Sequence, residues 1–481
     1  MVFNSIEFVI FLPIVFLLYW FVFGRNLKLQ NLFVVIVSYV FYGWWDWRFL
    51  FLIAFTSFCS WGSGLLIQKY RQDSKKAKFI SAANIILNLA ILGVFKYYDF
   101  FATSFANVFL GGKTDGLLLN IILPVGISFY TFQALSYSID VYKGKLEPTR
   151  DIIEFFAFVS FFPQLVAGPI ERATNLLPQF QKPRVFDYGQ AVDGCRMILW
   201  GLFKKIVIAD NCSVYVDEVF QTYQTQTGST LLLAAILFSF QIYGDFSGYS
   251  DIAIGTSKLF GIKLMRNFNV PYFSRDIAEF WRRWHISLTT WFRDYIYIPL
   301  GGSRCSKAKI VRNTFIIFLA SGLWHGANWT YILWGVYHAV LFLPLILLGK
   351  NRRYRDVVAS GRKIPSFKEL FQMILTFLLV VIGWVIFRAD YRSMAFDYLR
   401  RIVDVSIFSV PWLMTRWYYI PLFISIILML SMEWLVRDDE ISAIFKRVSR
   451  GWLRYLFYVI IIAAIVFLHP VSNNQFIYFQ F

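Results

Sequence analysis

The strongest constraint on this chain is the recurrence of apolar runs long enough to cross a bilayer. They lie near 6–23, 31–43, 49–67, 79–98, 121–141, 194–210, 229–257, 312–328, 331–349, 370–388, 418–436 and 452–470. A helix of about 20 apolar residues spans the hydrocarbon, so the pattern predicts an all-α polytopic membrane protein with roughly 11–12 transmembrane helices. Uninterrupted Leu, Ile, Phe and Val runs exclude a membrane barrel, whose strands alternate in polarity. Charged residues are only 16% of the 481, which leaves no stretch for a soluble appendage. The first run has no basic leader and carries Glu7 near its start, so it reads as a retained helix rather than a signal peptide.

The formal net charge of +18 is concentrated in loops. Lys69, Arg71, Lys75, Lys76 and Lys78 crowd one of them, and Lys350, Arg352, Arg353, Arg355, Arg362 and Lys363 another. Both are expected on the cytoplasmic side, which places the N- and C-termini outside the cytoplasm. Arg388, Arg392, Arg400, Arg401 and Arg416 fall on the wrong side of this count, and they predict either an interfacial helix or a slip in the count. Charge spread over loops rather than gathered in one stripe argues against nucleic acid as a partner. Cys59, Cys195, Cys212 and Cys305 are far apart, with no CxxC pair. That spacing argues against a metal site or a disulfide framework.

The chain reads as one integral-membrane domain, 1–481, with three textures. Residues 1–150 are hydrophobic hairpins, with Trp44, Trp45 and Trp47 placed as interface anchors. Residues 350–481 are plain helices followed by an aromatic tail. In residues 151–349 the apolar runs are interrupted by Pro163, Gly168, Pro169, Gly244, Gly248, Pro271, Pro299, Gly301 and Gly302. Irregular backbone at membrane depth survives only when shielded by protein or lining a wet cavity, so this middle part is where a site is expected.

Three stretches there carry candidate chemistry. FWRRWHISLTTWFRDYIYIPLGGSR, from Phe280 to Arg304, predicts an amphipathic helix with an aromatic face, Arg282, Arg283, Arg293 and Asp294 on its other side, and His285 beside the aromatics. QIYGDFSGYSDIAIG, from Gln241 to Gly255, puts Asp245 and Asp251 inside a span, where carboxylates need partners or water. Their six-residue spacing sets them on different helix faces, which favours a site-supporting role over an acid/base pair. FLASGLWHGANWTYILWGVYHAV holds His325 between Trp324 and Gly326, with Asn328 three residues on and within reach around a helical turn. Apolar surroundings favour a neutral imidazole, the form that accepts a proton, which suits a general base. A hydrogen-bonded core histidine is the competing reading. His338 reads as structural and His469, beside Pro470, as a helix terminus.

Together with SFFPQLVAGPIERATNLLPQF, these stretches resemble the membrane-bound O-acyltransferases over nearly the whole chain. The likeness is to the bacterial branch that contains the alginate O-acetyltransferase subunit and the teichoic-acid D-alanyl transfer protein. It implies a ring of helices around a central funnel and tunnel, with His325 as the catalytic residue and His285 as the family's second histidine. It further implies an acetyl-CoA-like thioester as cosubstrate with no bound cofactor. A polysaccharide acceptor and a secreted SGNH-type acetyltransferase partner follow, in a bacterial cytoplasmic membrane. The terminal NNQFIYFQF, Asn473 to Phe481, resembles an aromatic C-terminal motif whose tyrosine is thought to carry the acyl group, and Tyr478 matches it. Broken helices and intramembrane acids leave a transporter or flippase as the alternative class, and a lipid-directed acyltransferase as the alternative within the family.

Overall fold

The computed structural model describes residues 1–114, 116–413, 416–448, 450–470 and 476–477; of residues 416–418 and 447, Arg416 included, the side chains lie outside the description. Among the described residues the secondary structure is entirely helical. Five helices are long and apolar enough to cross a membrane: Phe49–Lys69, Ser74–Phe109, Gly228–Leu259, Trp329–Leu347 and Phe367–Arg388. Four shorter apolar helices accompany them: Ile6–Val22, Leu27–Gly43, Tyr419–Leu435 and Gly451–Phe467. Of the other predicted runs, Lys307–His325 and Ile127–Tyr142 are each one continuous helix, while Tyr188–Leu202 gives way to a π-helical segment, Phe203–Ala209.

The chain forms two compact units, Met1–Cys195 with Ala253–Met265, and Arg196–Ile252 with Arg266–Phe481. In the first unit, Asn26, Asp73 and Asp151 cap the helices that follow them by accepting from backbone N–H groups. Polarity there is arranged for lipid. Ile6, Ile10, Phe51, Phe79 and Ile86 are exposed, whereas Ser57, Ser60, Asn84 and Asn88 are buried. Asn88 Nδ2 donates to the Asn84 carbonyl at 2.9 Å and reaches Ser60 Oγ at 3.5 Å. Small and polar residues between helices are the usual glue where the outside is as apolar as leucine. Trp44, Trp45 and Trp47 are exposed, as interface anchors would be. The end of the long helix is fastened in this unit by Tyr19, which donates to the Phe260 carbonyl, and Trp20, which donates to that of Leu259.

The second unit is built along residues 228–252 of the helix Gly228–Leu259, the most buried of the five candidate spans at 72%. Gly244 and Gly248 were expected to interrupt this run, yet the helix is continuous. They permit close approach instead. A Cβ on Gly248 would stand 2.7 Å from the Gly201 carbonyl oxygen, and one on Gly201 would stand 2.5 Å from that of Gly248. Two backbones therefore touch where side chains would hold them apart. Farther along, Ser366 and Glu369 close a reciprocal capping box at the start of Phe367–Arg388. Arg392–Ile402 is a short helix bearing Arg400 and Arg401 in its last turn, and Arg388 pairs with Asp217 at 2.9 Å. The arginines that upset the positive-inside count thus lie largely in an amphipathic helix too short to span.

Gly248→Val is expected to cost about 1–3 kcal/mol by overpacking this contact. A thermal melt in detergent reads it as a lowered transition temperature, and a melt identical to that of the unmutated protein would mean the two backbones do not meet there.

Candidate active site

The aromatic stretch predicted as one amphipathic helix is two. Ile277–Arg283 and Ile286–Phe292 are separated by Trp284 and His285, and His285 adopts a left-handed conformation at φ 43°. A non-glycine residue there is uncommon and needs surrounding structure to hold it. The neighbouring strand of irregular chain supplies that support. Asn269 N donates to the Arg283 carbonyl and Ile286 N to that of Asn267, each at 2.9 Å. The break turns His285 inward, where it is 1% exposed.

Asn267 and Ser287 meet its ring at Nδ1. Asn267 Oδ1 accepts from Ser287 N at 3.3 Å and from Ser287 Oγ at 2.9 Å, and lies 3.1 Å from His285 Nδ1. A backbone N–H can only donate, so that Asn267 atom is the oxygen, and His285 Nδ1 carries the proton. Nε2 is then the acceptor nitrogen of the ring. Asn267 Nδ2 completes the set by donating to Ser250 Oγ at 3.1 Å. Burial drives His285 towards its neutral form.

His325 is the last residue of the helix Lys307–His325. The chain leaves at Gly326, where an added Cβ would meet the Tyr331 ring at 2.2 Å, so no larger residue fits this exit. The His325 ring is 3% exposed and walled by Trp324, Trp334 and Phe387 at centroid distances of 5.0, 5.1 and 5.3 Å. The two histidine rings lie 6.5 Å apart. Trp324 is packed against both, 5.5 Å from His285. The fold thus gathers His285, Trp324 and His325 into one buried aromatic cluster.

The other predicted residues stand nearby in different roles. Asn328 does not follow His325 around a helical turn, because the helix ends first. It caps Trp329–Leu347 by accepting from Thr330 N, and donates to the Asp390 carbonyl at 2.8 Å. Arg283 pairs with Glu279 at 2.9 Å. Asp251 lies 2.7 Å from Lys204, which also faces Glu433 at 3.9 Å. Asp245 lies 2.7 Å from Lys205, which is equally close to Asp210. Each of the two predicted acids thus has a lysine partner, as a carboxylate inside a span requires. His338 is fully buried against Trp281 and Trp334, and His469 Nδ1 lies 2.7 Å from the Pro470 carbonyl. Tyr478 lies outside the described residues. Sequence reasoning missed Asn267, Trp334 and Phe387, which only the fold brings to the histidines. It also missed Lys204 and Lys205, although two lysines inside an apolar run were a legible signal of buried partners.

The membrane-bound O-acyltransferase family model matches residues 149–386, a span that contains both histidines. The chain is 43% identical over 397 residues to a protein of Pseudomonas aeruginosa named "Probable alginate O-acetylase AlgI", covering 82% of this chain and 73% of that one. It is 31% identical to the peptidoglycan O-acetyltransferase of Helicobacter pylori, across 100% of this chain and 98% of the relative. Similarity to the teichoic acid D-alanyltransferase of Bacillus subtilis is 30%, over 56% of this chain. The helices and these matches define a multi-pass membrane enzyme that transfers acyl groups to hydroxyls. The chain belongs to the membrane-bound O-acyltransferase family.

Asn267→Ala should lower acyl transfer by about ten- to a hundredfold, since a buried hydrogen-bond partner is worth about 1–3 kcal/mol. Transfer assays on membranes matched for protein abundance check it. Unchanged turnover would mean that the orientation of His285 does not matter to the reaction.

Proposed function

We propose that the enzyme moves an acetyl group from acetyl-CoA in the cytoplasm to hydroxyls of a polysaccharide outside the bacterial cytoplasmic membrane. His325 is the general base. A hydroxyl oxygen attacks the thioester carbonyl while His325 takes the hydroxyl proton, the carbon–sulfur bond breaks, and the departing thiolate is reprotonated by the imidazolium. An O-acetyl ester and free CoA result. The observation that carries this reading is the pair of buried imidazoles 6.5 Å apart within the family-matched span. At that separation both rings can reach a single reacting centre beside them. His285, with Nε2 as an acceptor, orients the hydroxyl or the thioester.

The donor enters from the face bearing the basic loop Lys350–Lys363, and both chain termini lie on the opposite face. The acyl group leaves on a hydroxyl of this chain, that of Tyr478, before an SGNH-type partner outside the membrane passes it to the sugar. Two of the relatives are a probable alginate O-acetylase and a peptidoglycan O-acetyltransferase, which supports a saccharide acceptor over a lipid.

His325→Ala is expected to reduce polymer acetylation by about 10²–10⁴, the usual worth of a positioned general base, with membrane abundance unchanged. Acetate released from the envelope glycan measures it, and normal acetylation at normal abundance would remove His325 from the chemistry. Tyr478→Phe is expected to abolish delivery to the glycan while acetyl-CoA still binds; full delivery by the variant would exclude the tyrosine as carrier.

A further inference from the structure

The chain's last described residues do not trail into lipid or water. Phe476 and Ile477 are 3% and 5% exposed, inside the second compact unit. Ile477 N donates to Asp245 Oδ2 at 2.6 Å. The Phe476 ring packs at 4.6 Å on Tyr249 and at 6.1 Å on Phe246. Phe246 in turn lies edge-on to His285 at 4.6 Å. Asp245, Phe246 and Tyr249 all project from the continuous helix Gly228–Leu259, so a single rigid element holds the tail and touches the second histidine.

We infer that the buried Lys205–Asp245–Asp210 cluster, with Tyr249 and Phe246, is a receptor for the chain's own C-terminal tail, in which Asp245 fixes the tail's register. The chemistry fits an extended peptide. A carboxylate is an acceptor for a main-chain N–H whatever side chain that residue bears, and a charge-assisted bond of this kind is stronger than a neutral one. Asp245 is held in place by Lys205 at 2.7 Å, and Lys205 is itself shared with Asp210. The aromatic pair adds a socket for one ring and so distinguishes the register with Phe476 seated from its neighbours. Asp245 is therefore a positioning residue: it contacts no reacting atom but determines which tail side chain follows the anchored N–H. In sequence that residue is Tyr478. The consequence for catalysis rests on the carrier reading above; the docking itself does not.

Two measurements on the full-length protein in its membrane test this. The first replaces Phe476 with the photoreactive p-benzoylphenylalanine and maps cross-links by mass spectrometry. Capture of the Phe246–Tyr249 stretch is expected, reduced at least tenfold by Asp245→Ala; cross-links confined to lipid or to other helices would overturn the docking. The second leaves the buried cluster intact. A single alanine inserted between Ile477 and Tyr478 should abolish acyl delivery, whereas one inserted before Phe476, at residues 472–473, should preserve at least half of it. Equal effects of the two insertions would overturn the register. If the cross-link forms but Tyr478→Phe still delivers acetyl, the docking stands and the carrier reading fails.

Discussion

Two lysines and four acids, all buried and in contact, set the terms for the second unit. Lys204 and Lys205 are 1% and 5% exposed, and an unpaired ammonium in such surroundings would cost several kcal/mol. Asp245 and Asp251 answer them from the facing helix. Six residues along an α-helix is about 9 Å of rise and about 240° of rotation, so the two acids leave the helix in different directions and cannot share one lysine. Adjacent lysines on the π-helical segment Phe203–Ala209 meet different acids, Lys204 with Asp251 and Glu433 and Lys205 with Asp245 and Asp210. The match works only because Gly201 and Gly248 let the backbones meet. Close approach and charge pairing are thus one constraint, since either without the other leaves buried ions stranded.

With those charges satisfied locally, the neighbourhood of the histidines can remain dry. His285 is fixed by a neutral amide, not by a carboxylate, and His325 is bounded by indole and phenyl rings. A nearby carboxylate would favour the imidazolium and make each ring a poorer proton acceptor. The ion pairs therefore serve the site by keeping their charge to themselves. The left-handed turn at His285 belongs to the same design. It breaks what would have been a continuous amphipathic helix and directs the imidazole inward instead of along the aromatic face.

The apolar runs, the irregular middle part and the aromatic stretches around both histidines were legible in the sequence because each is a local pattern. What was illegible depends on pairing between distant segments. Nothing local marks Asn267 as the partner of a histidine eighteen residues later, and nothing in the spacing of Phe280 to Tyr295 discloses a helix broken at His285. The glycines of the long helix were read as interruptions because a sequence does not reveal whether another backbone lies against them. Asn328 was placed beside His325 by assuming that the helix continues; Gly326, closed by the Tyr331 ring, ends it. Which apolar runs face lipid and which are covered by protein was equally illegible, since an apolar run inside a protein core resembles one facing lipid.

A ring only 3% exposed cannot meet a hydrated polymer directly. A polysaccharide is broad, and its hydroxyls would have to give up their water to enter an aromatic-walled space that offers few replacements. A single side chain on an extended peptide is narrow enough, and its main-chain groups can be satisfied one by one. The Asp245 carboxylate already accepts such a bond. On the proposed route, the burial of His325 therefore favours a peptide-borne hydroxyl as the first acceptor, with the polymer acylated only after the acyl group has left the protein interior.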